Sequence, residues 1–227
     1  MLLLAFDTAT PAVTVALHDD SAVLAGSTRV DARRQGELLA PGIADVLRAA
    51  GRTRSDVTAI AVGVGPGPYT GLRVGIVTAL AMGDALGIPV YGVCTLDALA
   101  YAARRDGTVT GPFVAATDAR RKEVYWARYD EAGARAQGPA VDRAGDLPED
   151  VTKLPAVGAG AALYAGTFTD ARAPEHPDAA ALAAFAVRRL AAGEALSAPE
   201  PLYLRRPDAQ VPAGYKAVTP DGPPPRA

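Results

Sequence analysis

The sequence has one cysteine, Cys94, only two histidines and no asparagine. A single cysteine excludes an intramolecular disulfide and a multi-cysteine zinc site, and it is typical of a reducing compartment. The histidines, His18 and His176, lie far apart in the sequence and have no matched ligand partners. We expect both to be solvated, so the composition does not indicate a metal centre.

The sequence also lacks a long apolar run and an excess of charge of either sign. Its most apolar predicted helix is uncharged only between Arg73 and Asp84, whereas a membrane span needs about 20 residues. The N-terminal "MLLLAFD" has neither the basic flank nor the long apolar core of a signal peptide. With 23 basic and 25 acidic side chains, bulk charge predicts no strong affinity for nucleic acid or membrane. We expect a cytoplasmic protein that does not bind membranes.

Apolar patterns in the first hundred residues predict a regular order of elements. The segments "LLLAFDT", "AVTVALHD" and "AVLAGSTRV" predict three consecutive strands. A helix over 37–50, a strand over 57–64, a helix from Thr70, a strand over 88–93 and the helix "LDALAYAARR" follow. This order is that of one half of the actin-like and sugar-kinase-like fold, a mixed sheet with helices on its faces.

The same order begins again less regularly after about residue 111. "PFVAATDAR" and "KEVYWARYD" predict a hairpin, "LPAVGAGA" a strand entering a glycine turn, and "DAAALAAFAVRRLAAG" a helix. We therefore predict an α/β fold that is duplicated, with an eroded second half. The predicted units are residues 1–104, a smaller unit over 105–206, and an exposed proline-rich tail over 207–227.

A glycine-rich stretch, "GVGPGPYTGLRVG" over 63–75, joins a predicted strand to a predicted helix. Such turns often expose backbone N–H groups that bind phosphate. The stretch does not end in the Gly-Lys-Ser/Thr of a Walker loop, and the third glycine of the dinucleotide fingerprint is missing. A rigid corner and an anion site both remain open, with Thr70 predicted to cap the helix.

The helix after this loop has small residues at every fourth position, which form one smooth face. Small side chains allow another backbone to approach closely, and this helix is apolar nearly all round. We predict that it lies beside the helix over 37–50 and that the two pack against two helices of a partner. The predicted partner surface consists of Leu39, Ile43, Val46, Leu47, Gly75, Ala79, Met82 and Gly83.

Five stretches occur in a characteristic order: "FDTAT", "GPGPYTGLRVG", "DARRKEVYWARY", "VGAGA" and "PLYLR". Over about residues 1–206 the sequence therefore resembles the TsaB (also called YeaZ) family. The resemblance implies a bacterial actin-like (ASKHA, ribonuclease H-like) protein needed to make N6-threonylcarbamoyladenosine at position 37 of tRNA. In that pathway TsaC makes threonylcarbamoyl-adenylate, TsaD transfers the threonylcarbamoyl group, TsaB pairs with TsaD, and the ATPase TsaE joins them.

The resemblance also implies that this chain is not catalytic. TsaD-like enzymes carry a pair of metal-binding histidines, and the equivalent positions here are Thr95 and Leu99, which are poor ligands. No cofactor is then required by this chain, although the wider complex uses ATP. Ala119 stands where ATP-binding relatives have glycine, and Gln35 to Glu37 stand where related chains often have a histidine. What remains is a possible vestigial phosphate corner of Asp7, Gly65, Gly67, Thr70, Asp118, Gly158 and Gly160.

Two alternatives to a partner protein stay open on the sequence. One is a metal- or ATP-dependent enzyme of the same fold, disfavoured by the missing ligands. The other is a nucleotide-sensing regulator with contacts near 158–160. The helices predicted to bind TsaD could also pair with a second copy of the chain. Contact with tRNA is expected only within the complex, and the basic residues that could make it are Arg120, Arg121, Lys122 and Arg128.

Overall fold

The computed structural model describes residues 1–205, which form two five-stranded sheets with helices on their faces. The strands of this part of the chain are β1 Leu3–Asp7, β2 Ala12–His18, β3 Val23–Val30, β4 Ala59–Gly63, β5 Val90–Val93, β6 Phe113–Asp118, β7 Glu123–Tyr129, β8 Arg135–Arg143, β9 Ala156–Val157 and β10 Ala171–Arg172. Its α-helices are α1 Gln35–Ala49, α2 Tyr69–Leu86, α3 Thr95–Arg105, α4 Glu149–Thr152, α5 Ala159–Leu163 and α6 Ala179–Ala191.

The two sheets have the same strand arrangement, which supports the predicted duplication. The first has the order β3-β2-β1-β4-β5 and the second, read from the other edge, β8-β7-β6-β9-β10. In each, three antiparallel strands are followed by two that run parallel to the central one. The second sheet is the reduced copy, because β9 and β10 have two residues each and α5 has five.

Helices cover both faces of the first sheet. Helices α1 and α2 share one apolar cluster with β1, β2 and β4, which includes Phe6, Val15 and Ile60. Helices α3 and α6 cover the opposite face, where Leu182 packs against Leu3 and its neighbours. Strands β1, β2 and β4 are buried along their whole length, as expected for strands with helices on both sides. The meander, α1, α2 and α3 were all predicted from the sequence within a few residues.

The second half differs from its prediction in several elements, two of which affect the architecture. Strand β8 was not predicted, because its sequence "RAQGPAVDR" is mostly exposed and has no apolar alternation. Helix α6 was assigned to the second unit, yet it packs on the first sheet and on α3. The predicted boundary between residues 104 and 105 assigns α6 to the second unit, although the helix packs against the first.

The described chain ends with an extended segment that returns to the first half. The N–H of Gly92 donates to the carbonyl of Ser197 over 2.8 Å, and the N–H of Leu202 donates to that of Val64 over 2.8 Å. The Leu202 side chain contacts the apolar clusters of both halves. The predicted tail over 207–227 lies outside the described residues. Over residues 1–205, no helix is both long and apolar enough to cross a membrane.

Candidate functional site

The glycine loop between β4 and α2 packs tightly on the turn between β1 and β2. Gly65 has a φ of 94°, which favours glycine, and a Cβ on Gly67 would lie 2.1 Å from the carbonyl oxygen of Ala9. Helix α2 begins at Tyr69 with Pro68 at its N-cap and no side-chain capping bond. The predicted Thr70 cap is therefore wrong, because Thr70 already lies in the first helical turn.

Hydrogen bonds through the side chains of Asp7 and Thr95 hold this loop in place. Asp7 is fully buried; it accepts a hydrogen bond from the Ala9 N–H at 2.6 Å and one from the Thr95 hydroxyl at 2.7 Å. The Thr95 hydroxyl in turn accepts from the N–H of Gly65 at 3.1 Å. Burial raises the pKa of Asp7 to about 6, against the opposing effect of these two hydrogen bonds. Both carboxyl oxygens are thus used inside the fold, and Asp7 has a structural role that its sequence position did not reveal.

The two positions equivalent to metal ligands are both part of the interior. Thr95 belongs to the Asp7 network, and Leu99 is completely buried in an apolar cluster. Residues 1–205 contain no group of three or more His, Cys, Asp or Glu side chains that could hold a metal ion. His18 was expected to be solvated, and this is wrong: it is 6% exposed and its Nδ1 accepts from the N–H of Asp20.

The small-residue face of α2 does not form a surface. A Cβ on Gly75 would lie 2.6 Å from Oγ1 of Thr8, and one on Gly83 would lie 2.3 Å from Cγ2 of Val90. Ala79 is completely buried in the cluster shared with α1. The predicted partner surface is therefore wrong for these residues, because they let α2 approach its own sheet closely. Of the eight predicted surface residues, Met82 is half-buried. The other seven are buried: Leu39, Ile43, Val46, Leu47, Gly75, Ala79 and Gly83.

The opposite side of α2 is apolar and exposed. We call Val77, Leu80, Ala81 and Ala85 the outer face of α2, because all four are exposed and lie at helical spacing. Val77 is 58% exposed and Leu80 45%. A groove of about 690 Å³ runs along this face, lined by Arg54, Val77, Thr78, Ala81, Met82, Ala85 and Leu86. The helix thus has a second apolar face, made of residues that the glycine spacing did not single out, and its cover by a partner stays a prediction.

A cleft of about 590 Å³ lies between the two halves of the chain. Of the predicted phosphate corner, Thr70 and Asp118 line it. Asp7, Gly65 and Gly67 lie in the buried interior beneath the loop. Gly158 and Gly160 have a packing role, since a Cβ on either would lie within 3 Å of the backbone of β6.

The turn between β6 and β7 carries a basic cluster with unusual backbone. Arg120, Arg121 and Lys122 have φ values of 64°, 55° and 64°, a conformation that is uncommon for residues other than glycine. The Arg120 guanidinium lies 3.5 Å from the Asp118 carboxylate, and Arg128 pairs with Asp150 at 3.2 Å. Contact between these residues and tRNA stays a prediction.

Comparison with known proteins finds a matching family model and several similar proteins. A family model described as "TsaD: tRNA N6-adenosine threonylcarbamoyltransferase" matches residues 29–166. An uncharacterized protein of Mycobacterium tuberculosis (strain ATCC 25618 / H37Rv) is 46% identical over 92% of this chain and 93% of its own length. The "tRNA threonylcarbamoyladenosine biosynthesis protein TsaB" of Escherichia coli (strain K12) is 43% identical over 59% of this chain and 58% of its own.

One solved structure is also similar to this chain. YeaZ from Pseudomonas aeruginosa superposes with a TM-score of 0.77 at 32% identity, covering 89% of this chain and 99% of that one. The two mixed sheets flanked by helices and this superposition confirm the predicted actin-like (ASKHA, ribonuclease H-like) fold class.

Proposed function

Because the chain belongs to the TsaB (YeaZ) family, we propose that it is the non-catalytic partner of TsaD in the synthesis of N6-threonylcarbamoyladenosine at position 37 of tRNA. In this role the chain needs no cofactor of its own, and ATP is used by other members of the complex, including TsaE. It would work in the cytoplasm and meet tRNA only within the complex.

The outer face of α2 is the observation that carries this proposal. An exposed apolar stripe on a helix favours docking of another protein, since its burial gains about 25 cal/mol for each Å² removed from water. Helix α1 lies beside α2 and shares its core cluster. The two helices would thus form half of a four-helix bundle. The family model that matches this chain is that of TsaD, so we expect TsaD to present an equivalent pair of helices.

The enzyme alternative has less support. The residues at the metal-ligand positions are Thr95 and Leu99, and both side chains are packed inside the fold.

Arg73, at the start of the outer face, stacks on Tyr69 with its guanidinium 4.8 Å from the ring centroid. Tyr69 stacks in turn on Tyr203 at 5.4 Å. This exposed cluster of aromatic and Arg side chains beside the apolar stripe is typical of residues that dominate protein–protein binding energy.

The proposal is tested by the variant Leu80→Glu. A charge in the centre of a docked apolar face must be desolvated, so we expect affinity for TsaD of the same organism to fall at least tenfold. Melting temperature should hardly change, because Leu80 is exposed and glutamate is a good helix former. Val30→Glu is the matched control: it places the same charge at an apolar residue that is 61% exposed on β3.

Affinity of each purified variant for TsaD can be measured by calorimetry. Equal affinity of Leu80→Glu, Val30→Glu and the wild type would contradict the proposed interface. Sedimentation of the chain alone tests the other occupant of the same face. A dimer that Leu80→Glu dissociates would mean that self-association competes with TsaD for the outer face of α2.

A further inference from the structure

Strand β3 forms an open edge of the first sheet. It pairs with β2 on one side, and within residues 1–205 no strand pairs with its other side. The strand is eight residues long and largely exposed, and Val30 near its end is 61% exposed. An open edge presents unpaired N–H and C=O groups, which are a template for pairing with another strand.

The other edge strands of the described chain are covered, short or irregular. Strand β5 is approached by the segment after α6, where Gly92 forms a bridge with Ser197. Strand β10 has only two residues. Strand β8 contains Pro139, and its register with β7 shifts at two places. Proline and bulges prevent edge pairing, and β3 has no proline and no register shift over 25–30.

The hydrogen-bond pattern shows which backbone groups of β3 face outwards. The Asp31 N–H donates to the Pro11 carbonyl at 2.8 Å, so these two residues form a hydrogen-bonded pair of the antiparallel ladder. Because such pairs alternate along a ladder, every second residue of β3 directs its N–H and C=O away from β2. The outward residues are Gly26, Thr28 and Val30. The hydroxyls of Thr14 and Thr28 lie 3.1 Å apart, as expected where a pair exchanges no backbone bonds and its side chains lie closer.

These outward groups are complementary to those of a second copy of the chain. Opposed residues of an antiparallel pair have their side chains on the same face, so a two-fold axis must pass beside one residue of β3 and not between two. An axis beside Thr28 uses every outward residue, because it places Thr28 opposite its own equivalent and Gly26 opposite Val30. Each opposed pair then exchanges two backbone bonds, about six in all.

The side chains of β3 also fit an identical strand. Val30, the most exposed large apolar residue of β3, would lie opposite Gly26, which has no side chain. Arg29 is the one charged residue of β3, and it already pairs with Asp45 of α1 at 3.1 Å. The edge therefore presents no uncompensated charge that would repel its own copy.

We propose that two copies of this chain pair through β3 and join their first sheets into one continuous sheet. Helix α2 packs over β1, β4 and β5, so its outer face is not part of this edge. A pair formed through β3 would leave the outer face of α2 free in both copies and could carry two TsaD molecules. That consequence rests on the proposed function, whereas the pairing itself does not. A single pair of strands makes a small interface, so we expect weak, reversible association.

Sedimentation of the full chain over a range of concentrations tests the pairing. We expect a monomer–dimer equilibrium with a Kd below about 500 μM, and a chain that stays monomeric up to that concentration would overturn the proposal. Hydrogen exchange adds a readout for single N–H groups. Those of Gly26, Thr28 and Val30 should become protected as the dimer forms, because they have no acceptor in the β2–β3 ladder. A dimer without this protection would mean that another surface pairs.

Substitutions on the edge separate pairing through β3 from other self-association. Val30→Pro removes an outward N–H that makes no bond to β2, so the monomer's melting temperature should hardly change while dimerisation weakens at least tenfold. Val30→Ile is the matched control: it keeps the N–H and a β-branched side chain and should dimerise as the wild type.

Gly26→Lys makes the same test if Val30→Pro does not fold. A Cβ on Gly26 would lie 3.7 Å from the carbonyl oxygen of Val15, an ordinary contact, and a lysine on an edge opposes pairing. A dimer that persists in the folded β3 variants would refute the proposal. The same conclusion would follow if Leu80→Glu, or ending the chain after Arg206, dissociated the dimer and the β3 variants did not.

Discussion

Asp7 shows how a residue of the predicted phosphate corner can have a structural role instead. It ends β1, and its side chain is enclosed and accepts hydrogen bonds from the Ala9 N–H and the Thr95 hydroxyl. A Cβ on Gly63 would lie 1.9 Å from its carboxyl oxygen, so even the neighbouring strand is shaped around it. Its environment favours the protonated form, because burial penalises the charge.

The raised pKa of Asp7 predicts a specific pH dependence of stability. The folded pKa of about 6 lies above the ordinary value of 3.8, so its contribution is full below about pH 4 and is lost as pH rises through about 6. Asn in place of Asp7 cannot titrate. We therefore expect wild-type stability, relative to Asp7→Asn, to fall by on the order of 3 kcal/mol between pH 4 and pH 7.

Urea unfolding of both proteins at several pH values measures this difference, with the other titrating groups cancelling in the comparison. A difference that is constant across that range would show that folding does not raise the pKa of Asp7.

At the scale of an element, α2 has two apolar faces in different environments. The face with glycine and alanine at every fourth position lies on its own sheet, where larger side chains do not fit. The outer face carries larger exposed side chains and no partner within the described chain. Small residues at a four-residue spacing indicate close approach, but they do not say whether the approaching backbone belongs to the same chain.

Matched substitutions on the two faces test this assignment. Ala79→Leu adds bulk to a completely buried position and should lower the free energy of unfolding by about 1–3 kcal/mol. Ala81→Leu makes the same change two residues later on the outer face, where it should alter stability by less than about 0.5 kcal/mol. Chemical denaturation of the two variants measures both values. Equal stability of the variants would place Ala79 on the surface, as the sequence spacing suggested.

At the scale of the whole molecule, the last described segment holds the two halves together. Helix α6 returns to the first sheet, and the extended residues after it bond to Gly92 and Val64. A Cβ on Gly92 would lie 2.4 Å from the carbonyl oxygen of Ala198, so the segment approaches the edge of the first sheet closely. Leu202 then contacts the apolar clusters of both halves.

Two truncations distinguish this segment from the proline-rich tail. Ending the chain after Arg206 should leave the melting temperature nearly unchanged, because the sequence beyond it is poor in apolar residues. Ending it after Glu194 also removes the bonds to Gly92 and Val64 and the Leu202 contacts, and should cost more than about 2 kcal/mol. Calorimetric melting of the two truncated chains measures both effects. A large loss on removal of 207–227 alone would contradict the first expectation.

The sequence by itself determined the family and the order of the elements in the first half. Apolar periodicity depends on which side of a strand or helix is buried, so β1, β2, β3, α1 and α2 could be predicted locally. The same holds for the positions equivalent to the metal ligands, because Leu99 has no donor atom in its side chain and Thr95 is a poor ligand on its own. The exposed strand β8 could not be predicted, because nothing in its side chains follows the period of a strand.

Only the tertiary structure decided which faces are covered and which long sheet edge has no neighbouring strand within the described residues. The burial of Gly75 and Gly83 depends on where Thr8, Val62 and Val90 lie, and these three residues belong to segments outside the helix. The burial of His18, the hydrogen bonds of Asp7 and the open edge of β3 arise in the same way. Each depends on contacts between residues far apart in the chain, and such contacts leave no period or spacing in the local sequence.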